Sequence, residues 1–235
     1  MFSKNVILWA LVSALIISPL LSIAEEVVMQ EDSSTDVCAP FANGKVDADM
    51  FQHMLDAASK GQLYQIEAVS SRMGFCIDTP LGLIEGNFKE FKGGFTIEPN
   101  KKGVSGQAMM VVETESMEVP GQLIRSLLES ESFLDSEHYP EMLFVSRGFY
   151  WLNEKEAVLV GDLTIRDVTK QVGFHVVMEE LDEEPGESSQ RIYVKASTKI
   201  RRSEFGIISM APMVSDDLSL CMHVEAVRYQ NTENT

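Results

Sequence analysis

The feature that most limits what this chain can fold into is a two-residue alternation of apolar and polar side chains that returns through its C-terminal half. Ala157, Leu159, Gly161, Leu163 and Ile165 share one parity, and Val158, Val160, Asp162, Thr164 and Arg166 share the other. Successive side chains on a strand point to opposite faces, so this describes a strand with one face buried. Val172, Phe174, Val176 and Met178 repeat the pattern. So do Ile192, Val194, Ala196, Thr198 and Ile200 against Tyr193, Lys195, Ser197 and Lys199, and Leu218, Leu220, Met222, Val224 and Ala226 against Ser219, Cys221, His223 and Glu225. Further strands are expected at 63–68, 72–78, 82–96, 105–114 and 142–151. About eight strands on short turns make an all-β antiparallel barrel or sandwich, and the helices that a parallel sheet requires between strands are lacking.

Two helices interrupt the pattern. Asp47 can cap a helix over 47–60 whose Met50, Phe51, Met54, Leu55 and Ala58 form one apolar stripe before Gly61. Pro120 opens a second over 120–131, with Leu123, Ile124, Leu127 and Leu128 at helical spacing, placed between the two strand halves where it could plug one end of a barrel.

Four segments follow from the patterning. Residues 1–24 hold one charge, Lys4, then the apolar run Val6 to Ile17, then Ser22-Ile23-Ala24 ahead of two glutamates. That is the layout of a secretory signal peptide cut after Ala24, and its apolar core is shorter than the roughly 20 residues of a spanning helix. Export to the periplasm is the expectation. Residues 25–44 are acidic and aperiodic and read as a linker, 45–230 as one domain with an N-terminal helix, and 231–235 as a tail. The chain of 235 residues carries a net charge of −17, which opposes binding to nucleic acid.

Candidate reactive groups are few. Cys38, Cys76 and Cys221 match no zinc or redox spacing, but in an oxidising compartment two can pair: the alternation points Cys221 and Cys76 outward, and either Cys76 or Cys38 could reach Cys221. His53, His138, His175 and His223 are scattered, so no metal site is expected. Asp135, Glu137 and His138 before Tyr139-Pro140 read as an exposed acidic turn, and the acidic run Glu179 to Glu187 as a solvated hairpin loop. No nucleophile elbow, phosphate loop or dinucleotide fingerprint occurs, so catalysis has no positive signal and no cofactor is expected. Large apolar residues on inward positions do stand out: Phe75, Phe88, Phe144, Phe174, Phe205, Met109 and Met222. An eight-stranded barrel either packs such residues solid or keeps room for one slender ligand.

Several runs together resemble the YceI family. They are Ser132–Ser146 with Asp135, His138 and Tyr139-Pro140; Gly161–Val172 with Asp162 and Asp167; Ile200–Ile207 with Arg202 and Phe205-Gly206; Val214-Ser215-Asp216; Leu218–Arg228; and, earlier, Gly86-Asn87-Phe88 and Phe91-Lys92-Gly93-Gly94. The resemblance spans about Leu63 to Arg228. It implies a single lipocalin-like antiparallel barrel of about eight strands whose apolar tunnel holds a polyisoprenoid or quinone-type lipid in the periplasm. The tunnel would run past Phe75 and Ile77, Phe88, Leu127 of the helix, Phe133, Phe144, Leu163 and Ile165, Phe174, Phe205 and Met210, and Leu220. Three polar sites depart from the family pattern: Ser70-Ser71 and Asp78-Thr79 replace pairs that contain histidine in many members, and Leu127 falls near a usual histidine. They imply a retained tunnel with an altered head-group choice. A membrane enzyme that supplies or takes the lipid, and a second copy of the chain, are the other partners to consider. The rival reading is an enzyme acting on a hydrophobic substrate inside the barrel, with Arg202, Asp135 or His138 recruited at the rim.

Overall fold

A computed structural model describes residues 54, 56–58, 60, 62–96, 104–180 and 191–229. The strands are β1 (Leu63–Ile66), β2 (Arg72–Thr79), β3 (Gly82–Phe88), β4 (Phe91–Thr96), β5 (Val104–Ser105), β6 (Ala108–Glu113), β7 (Met117–Glu118), β8 (Glu141–Trp151), β9 (Glu156–Ile165), β10 (Val168–Glu180), β11 (Arg191–Arg201) and β12 (Asp217–Arg228). One helix, α1 (Gln122–Glu129), lies between β7 and β8. The signal-peptide, linker and tail segments, the acidic run beyond Glu180, Cys38 and most of the 47–60 helix lie outside the described residues; Met54 and residues 56–58 are helical.

Every pairing is antiparallel, and the sheet closes because β1 pairs with both β4 and β12. The ring has eight staves. Three are broken strands: β1 with β2, β3 with β4, and β6 with β7, while β8 to β12 run unbroken. The first break is a 3₁₀ turn at Ala68–Ser70, after which the Ser71 hydroxyl receives the Glu225 N–H at 2.9 Å and donates to its carbonyl at 3.3 Å. A side chain thus stands in for the ladder where the backbone leaves it. The single segment expected at 82–96 is split by a turn at residues 89–90, where the Lys89 N–H turns to the Ser116 carbonyl.

The long strands follow the parity read from their residues. Ala157, Leu159, Leu163 and Ile165 of β9 are buried and inward, and Phe174 and Val176 of β10 and Ala196 of β11 continue the same face. In β8 a bulge at Arg147, between Ser146 and Gly148, shifts the register against β9, and the Ser146 hydroxyl accepts the Ala108 N–H at 2.6 Å. Bulges of this kind bend a strand around a closing sheet.

The register sets the two barrel ends. The β2–β3 turn, the segment holding α1, the β9–β10 turn at Arg166–Asp167 and the 202–216 connection lie at one end, since Thr79 pairs with Gly82, Ile77 with Leu218, and Arg201 with Asp217. The chain termini of the barrel and the β8–β9 hairpin lie at the other.

Candidate ligand-binding site

Two glycines shape the lumen wall. A Cβ on Gly86 would sit 2.4 Å from the Phe75 ring, and one on Gly161 would sit 2.5 Å from the Phe144 ring and 2.6 Å from the Val145 carbonyl. The missing side chains let both rings lie flat along the wall. Phe144 meets Phe174 edge-on at 5.3 Å, and Phe75 meets Phe88 at 5.7 Å, so the aromatic residues brace one another around the lumen and do not fill it.

What remains is a cavity of about 650 Å³, within the size range of small-molecule sites. Among its described lining residues only Thr79 and Arg202 carry polar side chains. Nine of the chain's 13 methionines line it, among them Met73, Met110, Met142 and Met178, which makes the wall deformable toward a flexible chain. The cavity is not sealed: Leu81, Leu83, Met210 and Met213 line it and are also exposed, so it opens at the end carrying the β2–β3 turn and the 202–216 connection.

Eleven of the twelve residues named for the tunnel line this cavity, Leu127 and Met210 at its mouth and Phe133, Ile165 and the others deeper. Phe205 is the correction. It is 1% exposed, but its 3₁₀ turn (Arg202–Phe205) carries it into the packed core and not onto the lumen. Leu81 and Met213 escaped the sequence reading because apolar residues in turns have no periodicity to mark them, and Leu83 because on β3 it has the parity opposite to the buried Phe88.

Arg202 organises the mouth. Buried at 3% exposure, it donates from Nε to the Ser215 carbonyl at 2.8 Å, from Nη1 to Ile207 and Ser209 at 2.7 and 2.8 Å, and from Nη2 to Val214 at 3.0 Å. Its hydrogen bonds go to the backbone of one loop, which it draws over the barrel end. Asp216 completes the support by accepting the Ser203 hydroxyl at 2.7 Å and its N–H at 2.9 Å, and these bonds hold its carboxyl below the ordinary carboxylate range.

Of the turn expected to be exposed, Glu137 and His138 are exposed, but Asp135 is not. Asp135 is buried, with φ 51°, and lies 2.8 Å from Nδ1 of His138 and 3.9 Å from the Arg166 guanidinium of the β9–β10 turn. Arg166 also lies over the Tyr139 ring at 5.6 Å. The cluster fastens the segment after α1 to the barrel end, and the hydrogen bond and charge of Asp135 raise the His138 pKa while its ring stays in solvent. Arg202 makes no hydrogen bond to either residue, so the three groups suggested for a rim catalyst serve two separate supports.

Cys76 and Cys221 come together on the outer face, near Gly74, as two thiols. Burial raises the Cys76 pKa, and the hydrogen-bonded Cys221 beside it adds to the shift. Ser70-Ser71 belongs to the 3₁₀ break, and Glu225 there is buried yet held below the ordinary carboxylate range by Ser70, Arg191 and Tyr193, which outweigh its desolvation.

Residues 64–226 match the YceI-like domain. The chain belongs to that family. A UPF0312 protein of Pseudomonas putida strain W619 is 32% identical over 145 residues, covering 62% of this chain and 74% of its own. Among solved structures, BcnA of Burkholderia cenocepacia has the same fold with a TM-score of 0.62 at 19% identity, over 69% of this chain and 99% of BcnA. A polyisoprenoid binding domain from Saccharophagus degradans aligns at a TM-score of 0.55 and 12% identity, over 70% of this chain and 98% of that one. The YceI-like barrel is thus the shared scaffold, and the mouth described above is what this chain builds on it.

Proposed function

We propose that this protein is a carrier or reservoir for one long apolar lipid of the isoprenoid class, held in the barrel lumen, and that it works in the periplasm after its leader is removed. The observation that carries this reading is the open cavity of about 650 Å³ whose described lining is apolar apart from Thr79 and Arg202. The Saccharophagus degradans neighbour, a polyisoprenoid binding domain, supports the ligand class. Each buried methylene-like carbon contributes roughly 0.8 kcal/mol, so about ten of them offset the entropy of association.

The mouth favours an uncharged head group, such as a quinone. Arg202 spends its donors on four carbonyls, and Leu127 and Thr79 line the cavity where a titratable residue could have stood. Among the described residues the lumen lining offers no pair of acid and base groups, which supports binding without turnover. A membrane enzyme that loads or unloads the barrel is the matching partner.

Mass spectrometry of an organic extract of the purified protein tests the proposal. Intact neutral isoprenoid lipid near one per chain is the expected result, whereas an empty barrel or modified products would defeat it.

A further inference from the structure

Six large apolar residues are exposed at the mouth end: Leu81 at 101%, Leu123 at 85%, Ile208 at 69%, Met213 at 61%, Leu83 at 54% and Met210 at 45%. They come from three segments, 79–84, 119–124 and 206–215, none of which contains a charged residue, in a chain that is 23% charged. The charges nearest these segments in sequence are Asp78, Glu85, Glu118, Arg125, Glu204 and Asp216, five of the six acidic, and Arg125 is paired to Glu129.

These segments are not slack. The Thr79 hydroxyl bridges to the Gly82 carbonyl at 2.7 Å across a turn whose Gly82 φ of +117° only glycine adopts readily. The Ser215 N–H donates to the Asp78 carbonyl at 2.9 Å and joins the loop to that turn, and the Val214 N–H donates to Met210, itself held at φ 58°. Polar side chains and backbone bonds thus present an apolar rim to solvent. Leu81, Leu83, Met210 and Met213 also line the lipid cavity, so whatever covers the rim is continuous with the route of the ligand.

We infer that this rim is a docking surface for a lipid bilayer of neutral head groups, against which the barrel seats its mouth to take up and release lipid without passing it through water. The inference rests on the carrier reading. The occupant follows from two properties of the rim: it is continuous with an apolar lumen, which asks for an apolar phase, and it is ringed by acids in a chain of charge −17, which disfavours anionic lipid. A large exposed apolar patch with a polar surround is otherwise costly to a soluble protein.

The test is flotation of the purified full-length secreted product with phosphatidylcholine vesicles, beside the double variant Leu123→Asp, Ile208→Asp, whose residues belong to the rim but do not line the cavity. Both sites are exposed, so the fold is expected to survive, as circular dichroism and the lipid content of the extract will show. Wild-type protein should float with the vesicles, and the variant should lose at least about tenfold in partitioning, equivalent to roughly 1.4 kcal/mol, while keeping its extracted lipid. Phosphatidylglycerol in the vesicles should weaken wild-type binding at low salt, and added salt should restore it. The inference is overturned if wild-type protein stays with the aqueous phase, if the variant floats equally well, or if the rim instead joins two copies in a vesicle-independent dimer that Leu123→Asp breaks. An extract without lipid refutes the carrier reading, whereas lipid present without flotation refutes only the docking.

Discussion

The lumen wall and the rim of the cavity are both apolar, yet they are built in opposite ways. Along the wall, Leu159, Leu163, Phe174 and Val176 are buried by the closing of the sheet, and burying each such side chain stabilises the fold by roughly 1.5–3 kcal/mol. At the rim the polar residues, Arg202, Asp216, Ser203 and Thr79, hold the backbone, and the apolar ones are left outside. The wall is therefore a product of folding, while the rim is a surface that folding leaves for something else. Substitutions should separate the two: changes beneath the rim act on stability and local order, and changes in the wall act on the space inside.

The largest effect is expected beneath the rim. Arg202→Met removes every donor to four loop carbonyls and should lower the unfolding free energy by about 3–5 kcal/mol in urea titration. Hydrogen exchange over 206–215 should accelerate before the barrel strands respond. A loss below about 1 kcal/mol would mean that the loop is held by its apolar contacts after all, and the contrast with the wall would fall.

Gly161→Val comes next. Its added carbons meet the Phe144 ring and the Val145 carbonyl at under 3 Å, so the ring must turn into the lumen. A cost of about 1–3 kcal/mol together with reduced lipid content is expected. Ala196→Leu, on the same wall but facing open space, should cost less than about 1.5 kcal/mol while displacing lipid. If Ala196→Leu proved as damaging as Gly161→Val, the lumen would be a packed core and the cavity would have no functional meaning.

The wall was the legible half. Period-two alternation put Ala157, Leu163, Ala196 and Leu220 on one face because a strand with one buried face allows no other parity. The strand breaks were hidden. Ser71 closes the ladder through a partner 154 positions away, and no local pattern announces it. Asp135 shows the same limit, since it was read as exposed among acidic turn residues, and its burial depends on Arg166, which reaches it from the β9–β10 turn. Phe205 carried a strand-like apolar signature but sits on a 3₁₀ turn, where the parity that places β11 residues no longer applies. The rim was invisible for a related reason. Leu81 or Met213 in a turn reads alike whether the fold covers it or leaves it bare, and only the register of the barrel end decides.

The smallest expected effect concerns the two supports at the mouth, which should respond to pH with opposite sign. The His138 pKa is raised above its ordinary 6.5 by the hydrogen bond and charge of Asp135. The folded protein then holds that proton more tightly than the unfolded one, so the stabilisation is full below 6.5 and is lost as pH rises through the folded value. Asp216 lies below its ordinary 3.8 because Ser203 donates to it twice; its contribution is present above 3.8 and is lost as pH falls through the folded value. The ring of His138 and the carboxyl of Asp216 both face solvent, so each slope will be shallow. Melting temperature against pH should decline gently in the wild type as pH rises through the His138 value, and His138→Gln should remove that part of the decline, the part at higher pH belonging to the raised Cys76 and Tyr193. Asp216→Asn should flatten part of the acid side, the remainder belonging to Glu225 and Glu179, whose carboxyls are also held low. Should His138→Gln leave the alkaline decline unchanged, the Asp135 support would be carried by Arg166 alone, and the tie between the segment after α1 and the β9–β10 turn would be independent of pH.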